Sequence, residues 1–301
     1  MKLFDAAGGM THRRAVFTMI AVTLMWSIAG VVTRHLEAAR SFEVTFWRSA
    51  FTVVTLAILL PALRGRAVLV RSLREGGSTL WLSGLCWSVM FTAFMVALMM
   101  TTVANVLVTM AISPLLTALV ARFFLGHRLA TRTWAAIIVA GIGILWMYAR
   151  EVSGGGAQHV LGTAVALAVP MAAAVNWTVI QHNRSAAGID LLPAVLIGAV
   201  ISALVTLPFA LPFAASLHDL GLLALLGVVQ LSIPCLIAVS VARHLSAPEA
   251  SLLALLEVVF GVAWAWLGAN EAPAAHVLGG GALVLTALAA NEAVALRGSK
   301  T

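Results

Sequence analysis

Long apolar segments, separated by short polar connections, follow one another along the whole chain. There are ten of them within 301 residues, which leaves almost nothing for a soluble domain. Most of them are close in length to the about 20 residues that a helix needs to cross the roughly 30 Å hydrocarbon core of a bilayer. The pattern therefore predicts an all-α polytopic membrane protein with ten transmembrane helices. The ten predicted spans are Val16–Thr33, Phe42–Leu60, Ser78–Thr101, Val103–Ala121, Thr133–Tyr148, Val160–Gln181, Leu191–Phe213, Leu220–Ala242, Ala250–Leu267 and Val277–Asn291.

A glycine-rich run at residues 153–156 divides the ten spans into five and five. We predict a first five-helix repeat at 1–152, a linker at 153–159 and a second repeat at 160–301. Because five is odd, a second copy would cross the membrane in the opposite sense to the first. Such inverted repeats around a midplane cavity recur in secondary transporters. Two short internal matches agree with a duplication: Trp26 corresponds to Trp177, and Ser113 corresponds to Glu257.

Composition and charge place this chain in a membrane and suggest its orientation. With 62% hydrophobic and only 10% charged residues, it falls outside the range of soluble globular proteins. The formal charge of +7 follows the loops rather than a compact basic face, so we expect no nucleic-acid partner. Most Lys and Arg residues lie on the side of the termini, which predicts a multi-pass protein of the bacterial inner membrane with both termini in the cytoplasm. The bilayer is then its main partner, and a monomer is expected.

The chain resembles the drug/metabolite transporter superfamily, in its ten-helix class built from two EamA-type repeats. The resemblance covers essentially the whole sequence. It departs from the family pattern at Val258, His127 and Asn270. It implies a central cavity lined by helices one, three, four, six, eight and nine, as in bacterial exporters of amino acids and related metabolites. The residues that carry it are Trp26, Trp177, the segment from Ser113-Pro114 to Leu125-Gly126, and the segment from Leu255-Leu256-Glu257 through Trp264 to Glu271.

Glu257 is the most informative single residue, because it lies halfway through an otherwise uncharged ninth span. A charge at that depth costs roughly 2.5 to 3.5 kcal/mol on insertion scales, so it should face a cavity or a partner. Three functional roles are open to it: counter-ion for a substrate ammonium, proton carrier, or gating hydrogen bond. The structural alternative is a polar contact that holds two helices together.

Arg48 also lies within a predicted span, and it could pair with a substrate carboxylate or with Glu43. We favour a structural interpretation for it. Arg48 is only six residues inside the predicted end of the second span, within reach of the interface for a snorkelling side chain. The family resemblance also assigns that helix to the periphery of the protein.

The remaining candidates are aromatic, small polar or proline residues. Broad aromatic faces suit apolar or cationic solutes, small polar groups could orient a polar head group, and prolines can make a helix a gate. Each of them could equally be a packing residue. The predicted substrate-binding residues are Trp26, Ser27, Trp87, Phe91, Asn105, Ser113, Asn176, Trp177, Thr178, Gln181, Glu257 and Trp264, and the predicted gating residues are Pro114 and Pro234.

Other classes of function lack their motifs in this sequence. It contains no HExxH, GxSxG or P-loop motif, which argues against an intramembrane enzyme and against an ATP-driven pump. A channel would need a ring of charges or a filter motif, and neither is visible. Cys86 and Cys235 have no metal-binding or redox spacing, so we expect no metal and no cofactor. The sequence thus predicts a secondary carrier that exports small neutral or aromatic metabolites, amino acids above all, by alternating access; a solute channel is the main alternative.

Overall fold

The computed structural model describes residues 10–39, 41–100, 106, 109–110, 112–126, 130–148, 157–185, 190–269 and 275–298. All regular secondary structure in these ranges is helical, as predicted. The first half contains α1 His12–Trp26, α2 Ala29–Thr33, α3 Ser41–Arg64, α4 Arg66–Glu75, α5 Gly77–Met100, α6 Ser113–Leu125 and α7 Thr131–Tyr148. The second half contains α8 Ala157–Ser185, α9 Leu192–Ala210, α10 Leu217–Leu225, a π-helical segment Leu226–Ser232, α11 Ile233–Ala242, α12 Ala247–Ala254, α13 Leu256–Ala269 and α14 Ala275–Gly298.

Seven helical segments within the described ranges are long and apolar enough to cross a membrane. They are His12–Thr33, Phe42–Arg64, Gly77–Leu98, Val160–Asn183, Leu192–Ala210, Leu217–Ala242 and Ala247–Trp264. Three shorter apolar helices occupy the places of the fourth, fifth and tenth predicted spans: Ser113–Leu125, Thr131–Trp146 and Leu278–Asn291. The start of the fourth predicted span and the run 153–156 lie outside the described residues, and α8 begins at Ala157, within the predicted linker.

The outer surface of the bundle exposes large apolar side chains, and its inside holds a set of buried polar groups. Phe123 and Phe124 are each 81% exposed, in the manner of side chains that face lipid. Conversely, Thr45, Ser49 and Thr52 on α3 are completely buried. This distribution is what a bilayer selects, because polar groups can be satisfied only within the protein there.

Three predicted spans are interrupted in the structure. The first breaks between α1 and α2 at Ser27, the ninth breaks between α12 and α13 at Leu255, and the eighth contains the π-helical segment. None of these breaks was predicted, because the segments are uniformly apolar and carry no local stop signal. A further difference is α4, a short exposed helix within a predicted loop, where Arg71 Nε donates to Glu75 Oε2 over 2.7 Å.

The two halves of the chain pack against each other along most of their length. Helix α5 packs on α8, α3 and α5 both pack on α9, and α7 packs on α14. At the other side of the bundle α11 packs on α1, and α6 contacts α8 and α12. The hydrophobic core therefore lies between the halves rather than within either one.

Glycines allow close approaches between the halves, and two of them lie next to cavity residues. A Cβ atom on Gly198 of α9 would lie 2.4 Å from Trp87 Cβ, and one on Gly227 of the π-helical segment would lie 2.8 Å from the Arg48 carbonyl oxygen. No side chain can be accommodated at such distances without moving the backbone. These glycines thus bring Trp87 and Arg48, on two first-half helices, close to second-half helices.

Candidate functional site

A cavity of about 870 Å³, including the part that opens to solvent, lies between the two halves. All three helix irregularities border it: Trp26 is the last residue of α1, Gln230 lies in the π-helical segment, and Leu255 separates α12 from α13. Irregular backbone at membrane depth is tolerated where it lines a cavity, and π-helical turns are frequent at functional sites. The breaks therefore mark this cavity as the candidate site.

Aromatic side chains form a large part of the cavity wall. Trp87 lies at the centre of the group, with ring centroids 5.5 Å from Phe91 and 6.4 Å from Trp177 in an edge-on contact. Trp26 faces the same space from α1. All four rings are at least 92% buried, so they are held by the surrounding protein rather than free to move. Such a wall binds flat or apolar groups through burial and ring contacts.

Arg48 lines this cavity, and its predicted position near the interface is wrong. The side chain is only 2% exposed, and its Nη2 atom donates to the Phe91 carbonyl oxygen over 2.9 Å. The helix carries it inward because Thr45, Arg48, Ser49 and Thr52 follow one another at helical spacing on a single polar stripe. That stripe was the signal in the sequence, and it outweighs the distance of Arg48 from the span end.

Glu257 lines the same cavity from the first turn of α13. It is partly accessible through the cavity, whereas its neighbours Leu256 and Val258 are at least 95% buried. Among the salt bridges of the described part of the chain there is none between Arg48 and Glu257. The cavity thus contains one acidic and one basic group that face a shared space.

Polar groups of the eighth, fourth and ninth spans complete the wall. Gln230 Nε2 donates to the Trp26 carbonyl oxygen over 3.1 Å, while Gln230 Oε1 is buried without a hydrogen-bond partner. The hydroxyl oxygens of Ser113 and Ser251 lie 3.0 Å apart. Sequence reasoning missed Gln230 and Ser251, since a single polar residue in an apolar span is equally common as a packing contact.

The structure brings together six of the residues predicted to bind substrate, namely Trp26, Trp87, Phe91, Ser113, Trp177 and Glu257. Asn105 lies outside the described residues.

The others do not line the cavity, and four of them make hydrogen bonds within the protein. Ser27 donates to the Leu24 carbonyl oxygen at 2.7 Å and Thr178 donates to the Ala174 carbonyl oxygen at 2.8 Å. Asn176 accepts from Ser83, and Gln181 accepts from the Ala247 amide. Trp264 lies away from the wall.

The two predicted gating prolines differ in their position. Pro114 is in the first turn of α6, where a proline lacks only an amide that has no intrahelical partner. Pro234 follows the π-helical segment directly and lies inside the continuous helical segment Leu217–Ala242, where it removes a backbone donor. Both are buried and neither lines the cavity.

One end of the bundle is closed by two buried carboxylates that bind backbone amides. Asp219, at the start of α10, accepts hydrogen bonds of 2.8 to 2.9 Å from the amides of 37–39. Glu43, at the start of α3, accepts bonds of 2.8 to 3.0 Å from the amides of Ala214 and Ala215. Each acid therefore holds the loop of the other half, and both acids are completely buried. We call this arrangement the carboxylate clasp.

The opposite end of the same helices is joined by ion pairs. Asp190 lies 3.5 Å from Arg64, which ends α3, and 3.3 Å from Arg243, which follows α11. His12, at the start of α1, lies 2.7 Å from Glu249. The side chains in these contacts are 13 to 39% exposed. We call this the ion-pair end.

Comparison with known proteins gives a family match to the first half of the chain and a fold. Residues 13–149 match the EamA-like transporter family. Over 281 residues the chain is 25% identical to the pseudopaline exporter CntI of Pseudomonas aeruginosa, in both strain UCBPP-PA14 and strain PAO1, covering 91% of this chain and 92% of that protein. A solved crystal structure has the same fold, with a TM-score of 0.76 at 18% identity over 95% of this chain and 98% of that one.

Proposed function

Because residues 13–149 match the EamA-like transporter family, we propose that this chain is a member of the drug/metabolite transporter superfamily and exports small neutral or aromatic metabolites, amino acids among them, as a secondary carrier. The family match and the similarity to an exporter over most of the chain indicate a membrane transporter and not an enzyme. The observation that carries the substrate proposal is the cavity, in which Trp26, Trp87, Phe91 and Trp177 surround a space with few polar groups.

A ten-helix inverted repeat is supported by the pattern of contacts between the halves. Exchange of the two halves turns the contact of α5 with α8 into that of α11 with α1. It likewise turns the contact of α6 with α8 into that of α12 with α1. The contacts of α3 with α9 and of α7 with α14 join corresponding spans and are unchanged by the exchange. We infer from this symmetry that each half can adopt the shape of the other.

Alternating access follows from that exchange of shapes. The cavity lies between the halves, and the interactions that close the bundle above and below it join one half to the other. Opening of the ion-pair end with the clasp intact would expose the cavity to one side of the membrane. Opening of the clasp with the ion-pair end closed would expose it to the other side. The breaks at Ser27 and Leu255 supply points at which the cavity helices can bend without loss of a complete helix.

The proposed orientation puts the ion-pair end in the cytoplasm. Arg13, Arg14, Arg64, Arg66 and Arg243 lie at that end of the helices, and the positive-inside rule assigns such an end to the cytoplasmic face. Both termini are then cytoplasmic, and the carboxylate clasp faces the periplasm of a bacterium. Export accordingly begins with loading of the cavity from the ion-pair end.

Counterflow in liposomes tests this function. The purified protein is reconstituted, the vesicles are loaded with unlabelled solute, and uptake of radiolabelled phenylalanine, threonine, methionine and pseudopaline is followed against protein-free vesicles. A carrier gives a transient accumulation above equilibrium, whereas a channel only equilibrates the label. Absence of counterflow for all four solutes would contradict the substrate proposal.

A pair of tryptophan variants makes the same experiment specific for the cavity. Trp177 is 4% exposed and lines the cavity, and Trp146 is 54% exposed on the outer surface. We expect Trp177→Leu to reduce counterflow strongly and Trp146→Leu to leave it unchanged. Equal effects of the two substitutions would show that the aromatic wall does not bind the solute.

A further inference from the structure

We propose that the substrate of the cavity is a zwitterion whose carboxylate binds Arg48 and whose cationic nitrogen binds Glu257, beside an apolar or aromatic side chain. The proposal rests on the proposed function, because it treats the cavity as the substrate site. It goes further in that it requires two opposite charges on one small molecule. Solutes without charged groups and singly charged ions are then poor substrates.

The first reason is the unsatisfied hydrogen-bonding capacity of Arg48. Its Nη2 atom donates to Phe91, but its Nε atom is buried without a hydrogen-bond partner. A buried guanidinium is costly unless an anion pairs with it, and its planar fork matches a carboxylate with two parallel bonds. The bond to the Phe91 carbonyl fixes the orientation of the fork. A carboxylate in the cavity would satisfy the remaining donors.

The second reason is the position of Glu257 across the same cavity. Two opposite charges that line one space and do not form a salt bridge leave a gap in which a ligand can be held by both. The described residues provide no hydrogen-bond partner for the Glu257 carboxylate, whereas Glu43 and Asp219 at the clasp each bind several amides. A ligand ammonium would supply the missing donors.

The walls of the gap define the rest of the ligand. Gln230 Oε1 is a buried acceptor without a partner, and it lines the cavity together with both charged groups. It provides a second acceptor for a cationic nitrogen. Trp26, Trp87 and Trp177 provide an apolar surface for the side chain. An α-amino acid with a large apolar side chain fits all of these features.

Matched ligands test the proposal on the unmodified protein. Phenylalanine, 3-phenylpropionate and phenylalaninamide share one ring and differ only in their charged groups. Binding to the full-length protein in nanodiscs is measured by calorimetry at neutral pH. We expect phenylalanine to bind about 10- to 100-fold more tightly than either analogue, because each analogue leaves one charged group of the protein unpaired. Equal affinities for the three, or no binding of phenylalanine or methionine, would overturn the proposal.

Two substitutions assign each charge to its residue. In Arg48→Gln, the preference for phenylalanine over phenylalaninamide should fall by tenfold or more, because the variant has no cation to bind the carboxylate of phenylalanine. In Glu257→Gln, the preference over 3-phenylpropionate should fall in the same way. Arg66→Gln, at an exposed arginine of α4, is the matched control and should keep both preferences. Unchanged preferences in both cavity variants would also overturn the proposal.

Binding and transport can fail separately in these experiments. Tight binding of the zwitterion without counterflow would contradict the carrier function and leave the recognition of two charges intact. Counterflow of 3-phenylpropionate or phenylalaninamide at the rate of phenylalanine would support a carrier and refute recognition by Arg48 and Glu257. The ligand series needs no substitution, so it remains decisive if Arg48→Gln does not fold.

Discussion

The two ends of the helical bundle are held by the same kind of group in different surroundings. At the carboxylate clasp, Glu43 and Asp219 are completely buried and bind backbone amides over 2.8 to 3.0 Å. At the ion-pair end, the Asp190 side chain is 18% exposed and lies 3.3 and 3.5 Å from two flexible arginines. Buried charge-assisted bonds are strong, whereas ion pairs in contact with solvent are screened and contribute less. We infer that the ion-pair end opens more readily than the clasp.

The largest effect should come from removal of a clasp carboxylate. Asp219→Ala removes the acceptor of the amides of Glu37, Ala38 and Ala39, and a hydrogen bond to a charged group contributes about 1.5 to 3 kcal/mol. We expect a loss of at least about 3 kcal/mol of stability, seen as a lower unfolding temperature in detergent. Glu75→Ala removes an exposed carboxylate and serves as the control. Similar unfolding temperatures for the two variants would show that the clasp adds no stability.

A smaller effect is expected between the two ends, at a close contact of the halves. Gly227→Ala would put a Cβ atom 2.6 Å from Phe51 Cβ and 2.8 Å from the Arg48 carbonyl oxygen, which forces the π-helical segment away from α3. Overpacking of this kind costs about 1 to 3 kcal/mol. Gly221→Ala, in the same predicted span with nothing within 4 Å, should be neutral in the same unfolding assay. A neutral Gly227→Ala would contradict the tight contact.

At the ion-pair end, the expected effect is on opening rather than on stability. Asp190→Asn weakens the contacts with Arg64 and Arg243 at a cost of about 1 kcal/mol or less. Cys235 lines the cavity, so in a Cys86→Ala background it reports cavity access through its rate of labelling by a membrane-impermeant thiol reagent. In inside-out vesicles, Asp190→Asn should raise that rate several-fold, while intact cells show no increase. Faster labelling in intact cells would mean that the clasp side had opened.

Salt should have the smallest effect, and only at one end. Raising the ionic strength to about 1 M shortens the screening length to about 3 Å, which weakens exposed ion pairs much more than buried ones. The labelling rate of Cys235 should therefore rise modestly in inside-out vesicles and stay constant in intact cells. Asp190→Asn should remove part of this dependence. An equal salt response on both sides would remove the distinction between the ends.

Hydropathy and a few motifs predict the helical fold, because the bilayer imposes the length and polarity of each span. They also identify Glu257 and the tryptophans of the cavity, since a charge at depth and matched aromatic positions are visible without coordinates. The distance of Arg48 from a span end favours the interface, but the polar stripe of α3 on which it lies places it inside the protein. The helix breaks could not be predicted, since they depend on contacts such as that of Gln230 with Trp26. The partners of Asp219 and Glu43 depend on which loops meet in space.

The carboxylate clasp binds main-chain nitrogen atoms, so it depends on the length of the two loops and not on their side chains. Substitutions at 37–39 and at 214–215 should be well tolerated, with the exception of proline, which has no amide hydrogen to donate. An insertion or deletion of a single residue in either loop would shift every donor away from its acceptor. Relatives that keep the carboxylate clasp should accordingly vary freely in the residue types of these loops. The number of residues between the loops and the two acids should hardly vary.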